Sequence, residues 1–391
     1  MNFFNEAKSL TKVNIREYGM YIALFVIMLT FSIMTDGLFM SSRNISNMLD
    51  ATGYIAVLAV GMTLVIVIRH IDLSVGFSAG FLGAIEAIFM SQLGVPFYIT
   101  IPIILVFGIV VGMLNGFLVA QIGIPSFVAS LAGMLIFRGA LLMVTEKTGT
   151  IIVKDDHFNA IGNGFIPSLG KVGGLNVLSL ILGAVAILLF ILIEISNRRK
   201  KQQYNFEVIS NSMFSVKLVF VSAIIAYVTW IIAGYNGFSW TVVIMLLVVI
   251  VYQILSTKTV LGRHIYAVGS NPEAAHLSGI SVKKITYIVF GSMGMLSALS
   301  GILYTARLQS ATTTAGTLFE LDAIAAAYVG GVSAAGGVGK VTGSIIGAIV
   351  MASLSSGMNL LGVGISYQYM IRGAVLAAAV IFDVMTRKKR S

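Results

Sequence analysis

The chain has no cysteine, which excludes disulfides, thiolate nucleophiles and cysteine-ligated metals. Its four histidines, at 70, 157, 264 and 276, share no HxxxH or HExxH spacing, so little is present to hold a metal. Proline is scarce, with five in 391 residues, and acidic side chains number 15 against 25 Lys and Arg. Charged residues make up only 10% of the chain, where an ordinary soluble domain carries roughly a quarter. What fills the sequence instead is 58% hydrophobic residues, with a mean hydropathy of +0.97. A chain apolar along its whole length has the bilayer as its solvent.

Apolar runs fall at about 18–35, 51–68, 73–91, 96–120, 123–143, 175–195, 216–234, 238–255, 285–306, 321–335, 341–361 and 366–384. A spanning helix needs about 20 residues, so twelve spans use roughly 240 and leave about 150 for connections. That excludes a nucleotide-binding or extramembrane catalytic domain. The expectation is a single transmembrane domain over 1–391, an all-α polytopic membrane protein of about 10–12 helices. Two interruptions, RHIDLS at 69–74 and GGVSAAGGVGK at 330–340, mark segments that are either full spans or broken, re-entrant helices. IDLSVG at 71–76 only loosely echoes LDAIAA at 321–326, too weakly for a repeat.

The net charge of +10 sits in short segments between the runs, which speaks against nucleic acid and for the positive-inside pattern. Lys8, Lys12 and Arg16 precede an uncleaved first span. Arg198 to Lys201, then Lys258, Arg263, Lys283 and Lys284, then Arg387 to Arg390 follow at even numbers of spans. Both termini are therefore expected in the cytoplasm, and the 145–172 loop, without net charge, outside. GGVGK at 336–340 is no phosphate loop, because Ala334 stands where that pattern needs glycine and Val341 where it needs Ser or Thr.

Glycine, at 41 residues, falls in the spans at helical spacing: Gly108, Gly112 and Gly116; Gly76 and Gly80; Gly343 and Gly347. Small residues let helices approach closely in lipid, either inside the bundle or at a subunit interface. Between basic flanks, LGRHIYAVGSNPEAAHLSGI at 261–280 has the marks of a short helix. Asn271 is a good N-cap, Pro272 suits the first position, Glu273 complements the dipole, and Ser278 and Gly279 end it. Its small and apolar residues Ala274, Ala275 and Leu277 suit docking into a groove, or else lying on the lipid surface.

These residues strongly resemble the cytoplasmic loop of permease subunits of ribose- and xylose-type sugar importers of the ATP-binding cassette class, with the length and the loop most like xylose-type members. GMTLVIVIRHIDLSVG at 61–76, NGFLVA at 115–120, PSFVASLAGMLIFRG at 125–139 and ELDAIAAAYVGGVSAAGGVGKVTGSIIGA at 320–348 are similar to that family as well. The likeness covers nearly everything except 145–215. It implies a multi-pass permease of the bacterial cytoplasmic (inner) membrane that works as a pair of copies. Cytoplasmic ATPase subunits holding ATP and Mg would grip the loop at 256–284. An extracytoplasmic sugar-binding protein, periplasmic or lipid-anchored, would deliver a monosaccharide, xylose first among ribose, galactose and arabinose. This chain would bind no cofactor and do no chemistry. Gly262, Asn271, Glu273, Ala274, Ala275, Ser278 and Gly279 would form the coupling element, with Arg263 and His276 as contacts.

Intramembrane charge is expensive, so such residues are candidates for function. Asp72, beside Arg69 and His70 and close to Ser74, either builds a turn or gates the path. Glu86 sits in mid-run without a partner in sequence. Arg138, Arg307 and Arg372 lie near predicted outer ends, where snorkelling explains them. Asp322 and Glu320 sit where an outer loop enters a span, within reach of a delivering protein. A proton-coupled transporter using Asp72 or Glu86 is the competing reading, and it predicts uptake by this chain alone. A membrane-embedded enzyme lacks a nucleophile or metal cluster to support it.

Overall fold

The apolar runs form helix over most of their length, because a backbone in hydrocarbon must satisfy its N–H and C=O groups within its own segment. The computed structural model describes residues 15–206, 208 and 210–388, so Lys8, Lys12, Lys389 and Arg390 lie outside the described residues. In chain order the α-helices are α1 (Ile15–Met34), α2 (Ser42–Val67), α3 (Val75–Ser91), α4 (Phe97–Phe117), α5 (Ser126–Thr145), α6 (Asp156–Asn163), α7 (Val177–Gln203) and α8 (Asn211–Ala233). They continue with α9 (Trp240–Lys258), α10 (Val260–Ser270), α11 (Pro272–Leu277), α12 (Val282–Leu308), α13 (Phe319–Val329), α14 (Val341–Leu360) and α15 (Ile365–Lys388). Nine of the described helices are long and apolar enough to cross a membrane, and Gly19–Met34 and Val75–Ser91 are shorter apolar stretches. The protein is an all-α polytopic membrane protein.

Contacts define two ends of the bundle. At one end β1 (Ile151–Ile152) pairs antiparallel with β4 (Ser310–Ala311), Ile151 opposite Ala311. There the Asn163 amide also donates to the Ala306 carbonyl at 2.8 Å, and Phe165 bridges to Ser239. The hairpin β2 (Lys171–Val172) and β3 (Leu175–Asn176) follows in the same connection. At the opposite end Lys283 reaches Gln121 at 3.4 Å, and the end of α2 meets the end of α10. The 145–172 connection and the 259–281 connection therefore lie at opposite ends, as charge alternation predicts.

The interior is built on α2, α12, α13 and α14, while α5, α7, α8 and α15 present Leu135, Leu188, Leu192, Val219 and Met370 outward. The glycine ladders all face inward. A Cβ on Gly112 would meet the Phe290 carbonyl oxygen, one on Gly294 that of Gly108, and one on Gly347 that of Ala326. Gly76 and Gly80 lie equally close to the carbonyls of Gly316 and Ala315. Of the two readings of these ladders, packing within the bundle is the one observed.

Both interruptions are real breaks. Helix α13 has 11 residues and is about 16 Å long, half the roughly 30 Å of hydrocarbon, so the 321–335 run does not continue as one helix. It gives way to turns in which Gly331, Gly336 and Gly337 have φ of +86°, +79° and +70°. After α2 the chain turns through Arg69 at φ +67° before α3 begins. Arg372 departs from the snorkelling expectation: it turns inward and pairs with Asp322 at 3.4 Å, because α13 and α15 pack side by side there. Arg138 lies over the Phe77 ring, 5.6 Å from its centroid.

Candidate functional site

The 259–281 connection folds from local signals. The Thr259 hydroxyl accepts from the Gly262 amide at 3.1 Å and starts α10. Asn271 ends that helix and opens α11 by accepting from the Ala274 amide at 3.0 Å, with Pro272 in the first turn. The Ser278 hydroxyl returns to the Ala274 carbonyl at 2.8 Å, and Gly279, at φ +82°, reverses the chain. Arg263, Asn271, Glu273, Ala274, His276, Ser278 and Gly279 are exposed, and Leu277 is 89% exposed, an apolar side chain held out at the tip. Gly262 and Ala275 face the other way. Gly262 sits against the Leu255 and Ser256 carbonyls, where a side chain would not fit, and Ala275 belongs to the core. These two seat the loop on the bundle rather than present it.

Behind α11 three distant segments interlock. The Arg69 guanidinium donates from Nε to the Gly269 carbonyl at 2.7 Å and from Nη2 to the Ser270 carbonyl, so a cation caps the C-terminal end of α10. The Gly337 amide donates to the Val67 carbonyl at 2.8 Å, and the Tyr266 hydroxyl to the Gly339 carbonyl at 2.6 Å. Gly269 and Gly336 leave room only for hydrogen, since a Cβ would strike the Val67 carbonyl oxygen and the Arg69 side chain respectively. Asp383 of α15 accepts from the Ser333 hydroxyl at 3.3 Å and the Ala334 amide at 3.2 Å, fastening the same glycine-rich turn to the last helix.

From this junction the chain enters the core through Asp72. Its buried carboxylate accepts from the Ser74 amide at 2.9 Å and hydroxyl at 2.6 Å, and the Ser74 oxygen in turn accepts from Asn115 at 2.7 Å. These bonds fix the turn that leads into α3. Glu86 is wholly buried, and among the described residues neither carboxylate oxygen has a hydrogen-bond partner.

A recess of about 380 Å³ with a mixed apolar and polar lining opens between α2, α13, α14 and α15. Asp322 and Arg372 lie in its wall, and Arg372 Nη2 donates to the Ser355 hydroxyl at 2.6 Å. Asn44, which accepts from Ser356 at 3.0 Å, lines it together with Asn47, Asn359 and Tyr54. The Tyr54 ring packs in a cluster with Phe319, tilted against it at a centroid distance of 4.9 Å, and with Tyr304, which it meets edge-on at 5.1 Å. Tyr54 stands 13 residues from the end of α2, so the recess and the Arg69 junction are about 20 Å apart along that helix. Of the candidate path residues, Asp322 lies in the recess, whereas Asp72 and Ser74 lie on the junction side and Glu86 in α3. The recess amides carry no mark in the sequence, and Arg69 and Arg372 stand out there only as charges beside apolar runs. The one available signal was that two opposite intramembrane charges, Asp322 and Arg372, need partners.

A multi-helix bundle with a recess walled by an ion pair and amides and, remote from it, a loop helix that holds an apolar side chain in the open has the build of a membrane transport protein. The chain belongs to the family described as branched-chain amino acid transport system / permease component, which matches residues 44–380. It is 40% identical over 380 residues to the xylose transport system permease protein XylH of Haemophilus influenzae, covering 97% of this chain and 99% of that one. XylH of Escherichia coli K12 is 37% identical, with coverage of 97% and 94%. The ribose import permease protein RbsC of Haemophilus influenzae is 33% identical, with coverage of 94% and 93%. No solved structure matches the chain. Its relatives are transport permeases, and it is not an enzyme.

Proposed function

We propose that this chain is the membrane-spanning subunit of an ATP-binding cassette importer that carries a monosaccharide, D-xylose, across the bacterial cytoplasmic membrane. Two copies form the pathway, two cytoplasmic ATPase subunits dock on the 256–284 loop, and an external sugar-binding protein feeds the opposite end. ATP and Mg are held by the ATPases, and this chain binds no cofactor. The observation that carries the reading is α11, a capped helix whose exposed Leu277 and Ala274 project from the bundle between basic flanks. The basic segments flanking α11 support a cytoplasmic placement of this loop and of both termini. The names of the XylH relatives support xylose as the sugar.

The decisive experiment is affinity purification of the chain from its host, followed by import assays. Ala274→Arg or Glu273→Lys should cost about 2 kcal/mol of docking energy, the size of an interface hot spot. That is roughly a 30-fold weaker hold on the ATPase. Xylose import should fall with it while the chain still inserts and dimerises. Normal import by both variants would remove α11 from the mechanism. Uptake by the chain alone, abolished by an uncoupler, would replace the importer with a proton-coupled carrier.

A further inference from the structure

We infer that the recess between α2, α13, α14 and α15 is the permease's own sugar site, with Asp322 and Arg372 as the pair that binds ring hydroxyls. The inference rests on the importer reading and goes beyond it by assigning the site. The volume of about 380 Å³ lies within the roughly 300–1,000 Å³ of small-molecule sites. Its lining combines the groups a pentopyranose needs. Each sugar hydroxyl donates one hydrogen bond and accepts others, so neighbouring hydroxyls are met by a carboxylate that only accepts beside a guanidinium that only donates. Asn47 and Asn359 can do both, and Tyr54 offers an aromatic wall.

The ion pair itself is loose. Both contacts from Arg372 Nη1 to the Asp322 oxygens measure 3.4 Å, beyond the roughly 2.7–2.9 Å of a tight charge-assisted hydrogen bond. Arg372 Nε is buried without a hydrogen-bond partner among the described residues. Two charges brought into a membrane bundle and left with unspent hydrogen-bonding capacity, side by side on an open recess, fit a ligand better than a structural clamp. A clamp would have closed to bidentate contact.

The natural absence of cysteine makes the test direct. The full complex of this chain with its ATPase and binding protein is reconstituted with Ser356→Cys, and modification by a membrane-impermeant thiol reagent is timed. Excess D-xylose should slow labelling at least several-fold, and KCl of equal osmolarity should not. In the same vesicles Asp322→Asn and Arg372→Lys should raise the KM for xylose about tenfold or more, the effect of losing a hydrogen bond to a charged group. They should also change the preference between xylose and ribose, which a purely structural pair would not. Xylose import by the wild type, with labelling indifferent to sugar and with KM and preference unchanged in both variants, overturns the site and leaves the importer standing. A wild-type complex that imports no monosaccharide overturns both.

Discussion

Arg69→Ala is expected to separate ATP hydrolysis from import. The side chain makes two hydrogen bonds from a charged donor to the last carbonyls of α10, and each such bond is worth about 1.5–3 kcal/mol. Without them α10 keeps its own helical bonds but loses its tie to the end of α2. The ATPases would then move α11 and α10, and the motion would not reach the turn that continues through Asp72 and Ser74 into α3. Arg69→Lys should fail almost as badly, since an ammonium lacks the planar fork that addresses two carbonyls at once. In reconstituted complexes the measured ratio of sugar imported to ATP hydrolysed should fall severalfold or more, with assembly intact. A normal ratio in Arg69→Ala would mean that force passes by another route, the nearest being Tyr266 on Gly339.

What could be read in the sequence was whatever depends on near neighbours. Asn271, Pro272 and Glu273 specify the start of α11 within a few residues, and the structure places every cap where that pattern puts it. The apolar runs likewise name the helices, since hydropathy is a property of a window. Contacts between distant segments left no such trace. Helix α10 carries Gly262 and Gly269, each of which costs about 1 kcal/mol against alanine in a helix, so its pattern resembles a loop. The reason both are tolerated lies in the backbones they touch, Leu255 and Ser256 for one and Val67 for the other. Arg69 is near Asp72 in sequence, yet its left-handed backbone aims it at residues 200 positions away. Arg372 looked like a snorkelling cation because its partner is 50 residues upstream on a half-length helix, which a hydropathy window cannot tell from a whole one.

The junction and the recess are joined by α2 and by the glycine-rich turn. Residues 333–340 touch α2, α10 and α15 and lead directly into α14, whose Ser355 and Ser356 border the recess. In the proposed importer a shift of α10 would act on both walls of the recess, through α2 on one side and α14 on the other. Docking of an ATPase on α11 would then change the shape of the recess some 20 Å away without moving any charge through lipid.

The largest effect on stability is expected from Gly112→Leu. Helices α4 and α12 cross in backbone contact there: a Cβ at position 112 would meet the Phe290 carbonyl carbon at 2.9 Å and the Gly294 Cα at 3.0 Å, with the Phe290 oxygen closer still. Side chains can change rotamer to relieve crowding, but carbonyls within a helix cannot, so the helices must separate. Overpacking a core by a few methylenes costs about 1–3 kcal/mol when side chains can yield, and a clash between backbones lies at or beyond the top of that range. In lipid no hydrophobic force pulls parted helices together again, and the close contact is itself the source of attraction. Gly139→Leu is the matched control, because among the described residues nothing lies within 4 Å of a Cβ there and the residue is exposed on α5. It should change stability by less than about 0.5 kcal/mol apart from a small gain in helix propensity. Detergent-resistant folded protein and its thermal midpoint, measured for both, give the comparison. Since α12 begins at Val282, where the loop that carries α11 returns to the bundle, Gly112→Leu should also loosen the seat of that loop. Equal stability of the two variants would mean that α4 and α12 do not cross on their glycines, and the close-packed frame on which the loop rests would have to be redrawn.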